Sequence, residues 1–121
     1  MSDRKLEIDT KAIRPRALRT LGLDACIVIL GLACDLRDGK IESFSMKCYF
    51  SACGTPCCIA GHLLERLGHA RGEEGFELLK AWSEDNALFN LFSPSNPNKP
   101  LLAARAIERY VLGGADDPWG K

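Results

Sequence analysis

From Leu18 the apolar positions fall at Leu18, Leu21, Ala25, Val28, Leu32 and Leu36. Steps of three and four residues lay a stripe along one face of an α-helix. Leu23, Ile27 and Leu30 widen that stripe until the middle of the segment is apolar all round. A helix is therefore expected from Pro15, with the most buried position in the fold, ending at Asp38-Gly39, where glycine accepts a left-handed backbone. The β-branched run Ile27-Val28-Ile29 leaves a buried strand as the alternative for the centre.

Residues 40–52 alternate only loosely and carry both Tyr49 and Phe50. They predict a loop with at most one short extended piece near residues 45–51. Thr55 then has the chemistry of an N-cap and Pro56 that of a first helical residue, whose missing N–H costs nothing there. That helix runs through Ile59, Leu63, Leu64 and Leu67 to Gly68. After Gly72, Phe76, Leu79 and Trp82 mark the inner face of another helix. Ser83-Glu84-Asp85 offers a new N-cap with acids in the first turn, followed by Leu88, Leu91 and Phe92 at helical spacing. A turn-rich loop over residues 93–100 leads to a last helix from about Pro100. That helix presents Ala103, Ile107, Tyr110 and Val111 on one face and ends at Gly113-Gly114. The expected fold is mainly α: one small domain of four to five helices over residues 15–114. Flexible ends are expected at 1–14 and 115–121, with Trp119 able to fold back onto the core.

A chain of 121 residues, 46% apolar and 26% charged, fits one globular domain with one core. Sixteen basic and sixteen acidic side chains cancel, so no overall field draws it to nucleic acid or to an anionic membrane. Arg4, Lys5, Lys11, Arg14, Arg16 and Arg19 outnumber Asp3, Glu7 and Asp9 near the start. This local bias reads as a solvated segment entering a helix, with a nucleic-acid arm as the alternative. The opening Met-Ser-Asp-Arg-Lys lacks a signal-peptide core. The apolar run from Ala25 to Cys34 is too short for a bilayer, which takes about 20 residues. A cytoplasmic protein with reduced thiols is the expectation, despite six cysteines.

The candidate chemistry lies in Cys53-Gly54-Thr55-Pro56-Cys57-Cys58-Ile59-Ala60-Gly61-His62. One reading is structural. Gly54 permits a tight turn, Thr55 caps the helix, and Ala60 with Gly61 lets another helix approach. Cys53 and Cys58 are then small buried hydrophobes, and replacing either by serine puts a costly hydroxyl into an apolar site. A second reading is a metal site. Cys48, Cys53, Cys58 and His62 set three thiols and an imidazole in a narrow window, and Cys58 and His62 stand at i and i+4, so Cys53, Cys58 and His62 supply ligands suited to zinc. The close Cys-x2-Cys knuckle of common zinc folds is missing, and His69 is the only other imidazole. A third reading is a thiol enzyme, with Cys57 or Cys58 activated in the first helical turn and His62 as partner. No catalytic set is assigned, because neither a Ser-His-Asp order nor a phosphate-binding loop is present. Trp82, Phe92, Tyr110 and Trp119 are candidates for a partner surface, with core packing as the default for the helical ones.

The pattern Phe44-x-Met46-x-x-Tyr49, then Cys53-Gly54-Thr55-x-x-Cys58-Ile59-Ala60-Gly61-His62, resembles a group of small bacterial and phage proteins of unknown function. Leu78-Leu79…Leu91-Phe92 and Ala106-Ile107-Glu108-Arg109-Tyr110 extend the resemblance, which spans about residues 18–114. In that pattern Cys53 and Cys58 belong to the motif, while Cys48 and Cys57 are additional here. The resemblance implies a shared fold and no particular activity. The expected function is therefore that of a non-enzymatic helical protein acting through protein contacts, of a regulatory or inhibitory kind carried by mobile elements. No cofactor is expected. The alternative is a zinc-stabilised or cysteine-dependent protein using Cys53, Cys58 and His62.

Overall fold

Gly22 divides the first apolar stripe in two in the computed structural model, which describes residues 10–41, 44–46, 58–68, 73–93, 96–115 and 117–119. One helix was expected from Pro15 to the Asp38-Gly39 stop. Instead α1 (Pro15–Leu21) and α2 (Leu23–Arg37) meet at an angle of 106°. Gly22 has φ 89° and ψ 160°, a backbone region open essentially to glycine alone. The bend lets α1 leave the axis of α2 while both helices keep their apolar faces inward.

Four more α-helices follow among the described residues: α3 (Ile59–Leu67), α4 (Glu73–Trp82), α5 (Asn86–Leu91) and α6 (Pro100–Val111). The domain is mainly α, and no strand occurs among the described residues. Among the described residues the α-helices number six rather than four to five, because Gly22 makes two helices of one expected helix. Of the short extended piece expected near residues 45–51, Ser45 and Met46 lie at a turn, and the rest is outside the described residues.

The central helix is α2, as the all-round apolar pattern predicts. It packs most extensively against α6, then against α3 and α1. Both partners bury small residues, Ala25, Cys26 and Ala33 on α2 and Ala103, Ala104 and Ala106 on α6, together with Ile29, Leu32, Leu36, Ile107 and Tyr110, all fully buried. Each large aliphatic side chain taken from water contributes about 1.5–3 kcal/mol, so this layer is the main source of stability. Leu23, expected to widen the buried stripe, is 47% exposed at the first position of α2. No single helix among the described residues is long and apolar enough to cross a membrane.

The ends of the helical region are tied in. The backbone N–H of Arg14 donates to the Val111 carbonyl at 2.9 Å, and its Nε donates to the Leu112 carbonyl at 3.0 Å. Ile13 is buried beside them. At the other end, Pro118 is fully buried and the indole Nε1 of Trp119 donates to the Leu91 carbonyl at 3.1 Å. Ile13 and Arg14 at one end, and Pro118 and Trp119 at the other, thus pack onto the helices. Between α5 and α6, the Asn96 side-chain amide donates to the Asn90 carbonyl at 2.7 Å, and Asn98 Oδ1 accepts from the Met46 N–H at 2.6 Å.

Candidate functional site

The cysteine segment is placed only from Cys58 onward. Cys53, Gly54, Thr55, Pro56 and Cys57 lie outside the described residues, as do Cys48, Tyr49 and His69. Cys58 has an extended backbone (φ −96°, ψ 178°), and α3 begins after it, at Ile59. The start expected at Thr55-Pro56 lies outside the described residues, and the N-cap of α3 is Cys58. Its Sγ accepts the Gly61 N–H at 3.4 Å, and its carbonyl accepts the His62 N–H at 2.9 Å. The thiol is 1% exposed, and Ala60 and Gly61 are buried behind it. His62 is 8% exposed and stacks on Phe44, with ring centroids 6.5 Å apart and planes 19° from parallel. His62 therefore lies where α3 meets the 44–46 segment, and Cys58 is buried at the start of the same helix. Among the described residues no three His, Cys, Asp or Glu side chains converge as metal ligands would.

A polar hub that the sequence did not reveal forms around Asp85. This residue is the N-cap of α5, its Oδ1 accepting the N–H groups of Ala87 (3.0 Å) and Leu88 (3.5 Å). The guanidinium of Arg16, on α1, also meets Oδ1 at 3.0 Å. Oδ2 accepts the Thr20 hydroxyl at 3.0 Å and the Tyr110 hydroxyl at 2.6 Å. Three helices, α1, α5 and α6, are thus fastened to one carboxylate whose side chain is 7% exposed. Burial alone would raise its pKa. The bonds from Tyr110, Thr20 and the Ala87 N–H, with the charge of Arg16, outweigh burial and hold it below the ordinary carboxylate value. Burial, reinforced by the bond to Asp85, pushes the Tyr110 phenol well above its usual range. An anion engaged at both oxygens and held ionised has no proton to give at neutral pH. It is built to join helices rather than to act as a general acid. The open cleft beside it, about 510 Å³ and lined by Arg16, Arg19, Glu84 and Asn86 among others, is polar.

The third feature is a groove on α6. Leu101 and Leu102, neighbours at the start of α6, are 63% and 39% exposed. Beside them a groove of about 110 Å³ is lined by Leu102, Arg105, Ala106 and Arg109 from α6 and by Pro97, Pro118 and Trp119 from the flanking segments. The Trp119 ring is fixed by its bond to Leu91, and Asp117 accepts from the Asn90 amide at 3.4 Å. Of the four aromatic candidates, Trp82, Phe92 and Tyr110 are buried, and the Trp82 and Phe92 rings pack at 6.0 Å. Trp119 alone of them lines the groove.

Compared with protein-family models, curated proteins and solved structures, the chain gives no match.

Proposed function

We propose that this protein acts through protein–protein contacts, and that the start of α6 is the contact face. The observation that carries this is the pair Leu101 and Leu102, exposed beside a groove with a fixed indole wall. A groove of about 110 Å³ falls well short of the roughly 300–1,000 Å³ of small-molecule sites. It suits one side chain presented by a macromolecule. Trp and Arg, both on its lining, are residue types that dominate the energetics of protein interfaces. A regulatory or inhibitory role in the cytoplasm, as carried by mobile elements, is the setting supported by the likeness of the Phe44–His62 motif to small bacterial and phage proteins.

The test places a photo-crosslinking amino acid at Leu101 and, as a control, at the exposed Lys80 on α4, in the native host. Discrete protein adducts from position 101, absent from position 80 and lost on adding Leu102→Asp, are expected. Equal adducts from both positions, or none from position 101, would defeat the proposal.

A further inference from the structure

The lining of the α6 groove also specifies the partner's chemistry. Leu102, Arg105, Ala106 and Arg109 stand at steps of three, one and three along α6, so they share one face. Leu101 lies one turn before Arg105 on the same side. Both arginines are exposed, and neither has an ion-pair or hydrogen-bond partner through its side chain among the described residues. Three other arginines are paired with carboxylates, Arg16 with Asp85, Arg37 with Glu108 and Arg66 with Asp35, whereas Arg19, also exposed, lines the cleft beside Asp85. Among the described residues these two guanidiniums line the groove, while the acids nearest them in sequence, Glu108 and Asp117, are engaged with Arg37 and Asn90.

Resting on the reading of α6 as a protein-contact face, we propose that the groove receives an acidic, aliphatic-bearing peptide segment of another protein. One aliphatic side chain of that segment enters between Leu102, Ala106, Pro118 and Trp119. Carboxylates on either side of it pair with Arg105 and Arg109. Size supports the aliphatic anchor. A cavity of roughly 150 Å³ holds a benzene ring, so the groove's 110 Å³ suits a branched aliphatic chain better than an aromatic one. Geometry supports the carboxylates, since guanidinium groups bind them through two parallel hydrogen bonds. The groove's far wall is already set by the bonds of Trp119 and Asp117 to α5, so little ordering opposes binding. A nucleic acid would satisfy the guanidiniums but leave the leucines and the groove unfilled.

The experiment selects binders to the full-length protein from a displayed random-peptide library. Recovered peptides are then titrated as fluorescent synthetic probes against wild type, Arg105→Glu/Arg109→Glu and Leu101→Asp/Leu102→Asp. The substituted side chains are exposed, and matching thermal midpoints confirm that the variants fold. Peptides sharing an aliphatic residue with Asp or Glu within a turn on each side are expected. Charge reversal should weaken them about tenfold or more, as loss of interface arginines does, and added salt should weaken wild-type binding in the same direction. Selected peptides that lack acids, or that are indifferent to charge reversal yet lost in the leucine variant, would overturn the acidic partner and leave the contact face standing. Binding untouched by either variant, or no binders at all, would overturn both. Tight binding of a DNA or RNA oligonucleotide abolished by the arginine variant, or dimerisation abolished by the leucine variant, would also overturn the proposal.

Discussion

The Tyr110 hydroxyl and the Asp85 carboxylate, 25 residues apart in sequence, meet at 2.6 Å where α6 crosses the start of α5. Tyr110 is fully buried, so its hydroxyl depends on this acceptor. Against the effect of burial, the bonds from Tyr110 and Thr20 and the charge of Arg16 in turn hold the Asp85 pKa below its ordinary value. Asp85→Ala removes the α5 cap, worth about 1 kcal/mol, and strands a buried hydroxyl at about 1–3 kcal/mol. The expected loss is roughly 2–4 kcal/mol in chemical denaturation. Tyr110→Phe removes one donor and leaves Thr20 and Arg16 in place, so its cost should be near 1 kcal/mol. The double variant should lose less than the sum of the two, because the partners are in contact.

The same pair sets the pH range of the fold. Asp85 is held below its ordinary value of 3.8 in the folded state. A depressed carboxylate contributes stability that is fully present above the unfolded pKa and is lost as pH falls through the folded one. Urea midpoints should therefore be flat near neutrality and fall below about pH 4. Asp85→Asn should flatten that acid limb, and an unchanged slope would mean that other carboxylates govern it. At the alkaline end the sign reverses. Tyr110 is raised above its ordinary value of 10.0, so its contribution is present below that pH and lost as pH rises further. Tyrosinate absorbance should show Tyr110 ionising only as the helices open.

Cys58 as an N-cap changes what serine should do there. An apolar burial site would make Cys58→Ser costly, but the Sγ accepts the Gly61 N–H, and a serine oxygen is among the preferred acceptors at this position. Cys58→Ser should therefore be nearly neutral, while Cys58→Ala should cost about 0.5–2 kcal/mol. Burial pushes the Cys26 thiol up to about 11, and Cys26 is fully buried in α2. Cys34, eight residues on, is half-buried. Mass mapping after brief treatment with a thiol reagent should find Cys34 modified ahead of Cys26, and Cys26 modified only on unfolding. Early labelling of Cys26 would contradict its burial between α2 and its neighbours.

What could be read along the chain was whatever depends on near neighbours. The stripes over Leu63–Leu67, Leu88–Phe92 and Ala103–Val111 mark helices because burial of one face repeats at the helical period. Gly68 and Asp38-Gly39 mark ends because those turns need a left-handed residue. The Asp85 hub was hidden, since it joins Thr20 to a partner 65 residues away and nothing local encodes that meeting. Only the Ser83-Glu84-Asp85 cap signal touched it, and the cap proved to be Asp85 itself. The α6 groove was half visible: Trp119 stood out, but the exposure of Leu101 and Leu102 depends on where the last segment crosses the helix. In the cysteine motif, Cys58 caps α3 through its thiol, a role that intrinsic capping preference does not signal for cysteine.

Gly22 is the sharpest case of a local signal overruled, and it supports a direct test. A single glycine within an apolar helical pattern is normally tolerated at a cost of about 1 kcal/mol, so the pattern alone carries α1 straight into α2. The structure instead uses glycine's freedom, turning the chain at φ 89° and ψ 160°. A Cβ built on Gly22 would meet nothing within 4 Å, so crowding is not what excludes other residues. The backbone conformation is. Gly22→Ala should destabilise the protein by about 1–3 kcal/mol, the cost of holding an L-residue in that region. D-alanine at the same position, introduced by chemical synthesis or ligation, favours the mirror-image backbone. It should restore stability to the glycine level or above, because it also restricts the unfolded chain. Equal losses for the L- and D-residues would point to an undetected steric contact at the bend. A neutral L-alanine would mean that α1 and α2 straighten into the single helix that the apolar stripe alone predicts.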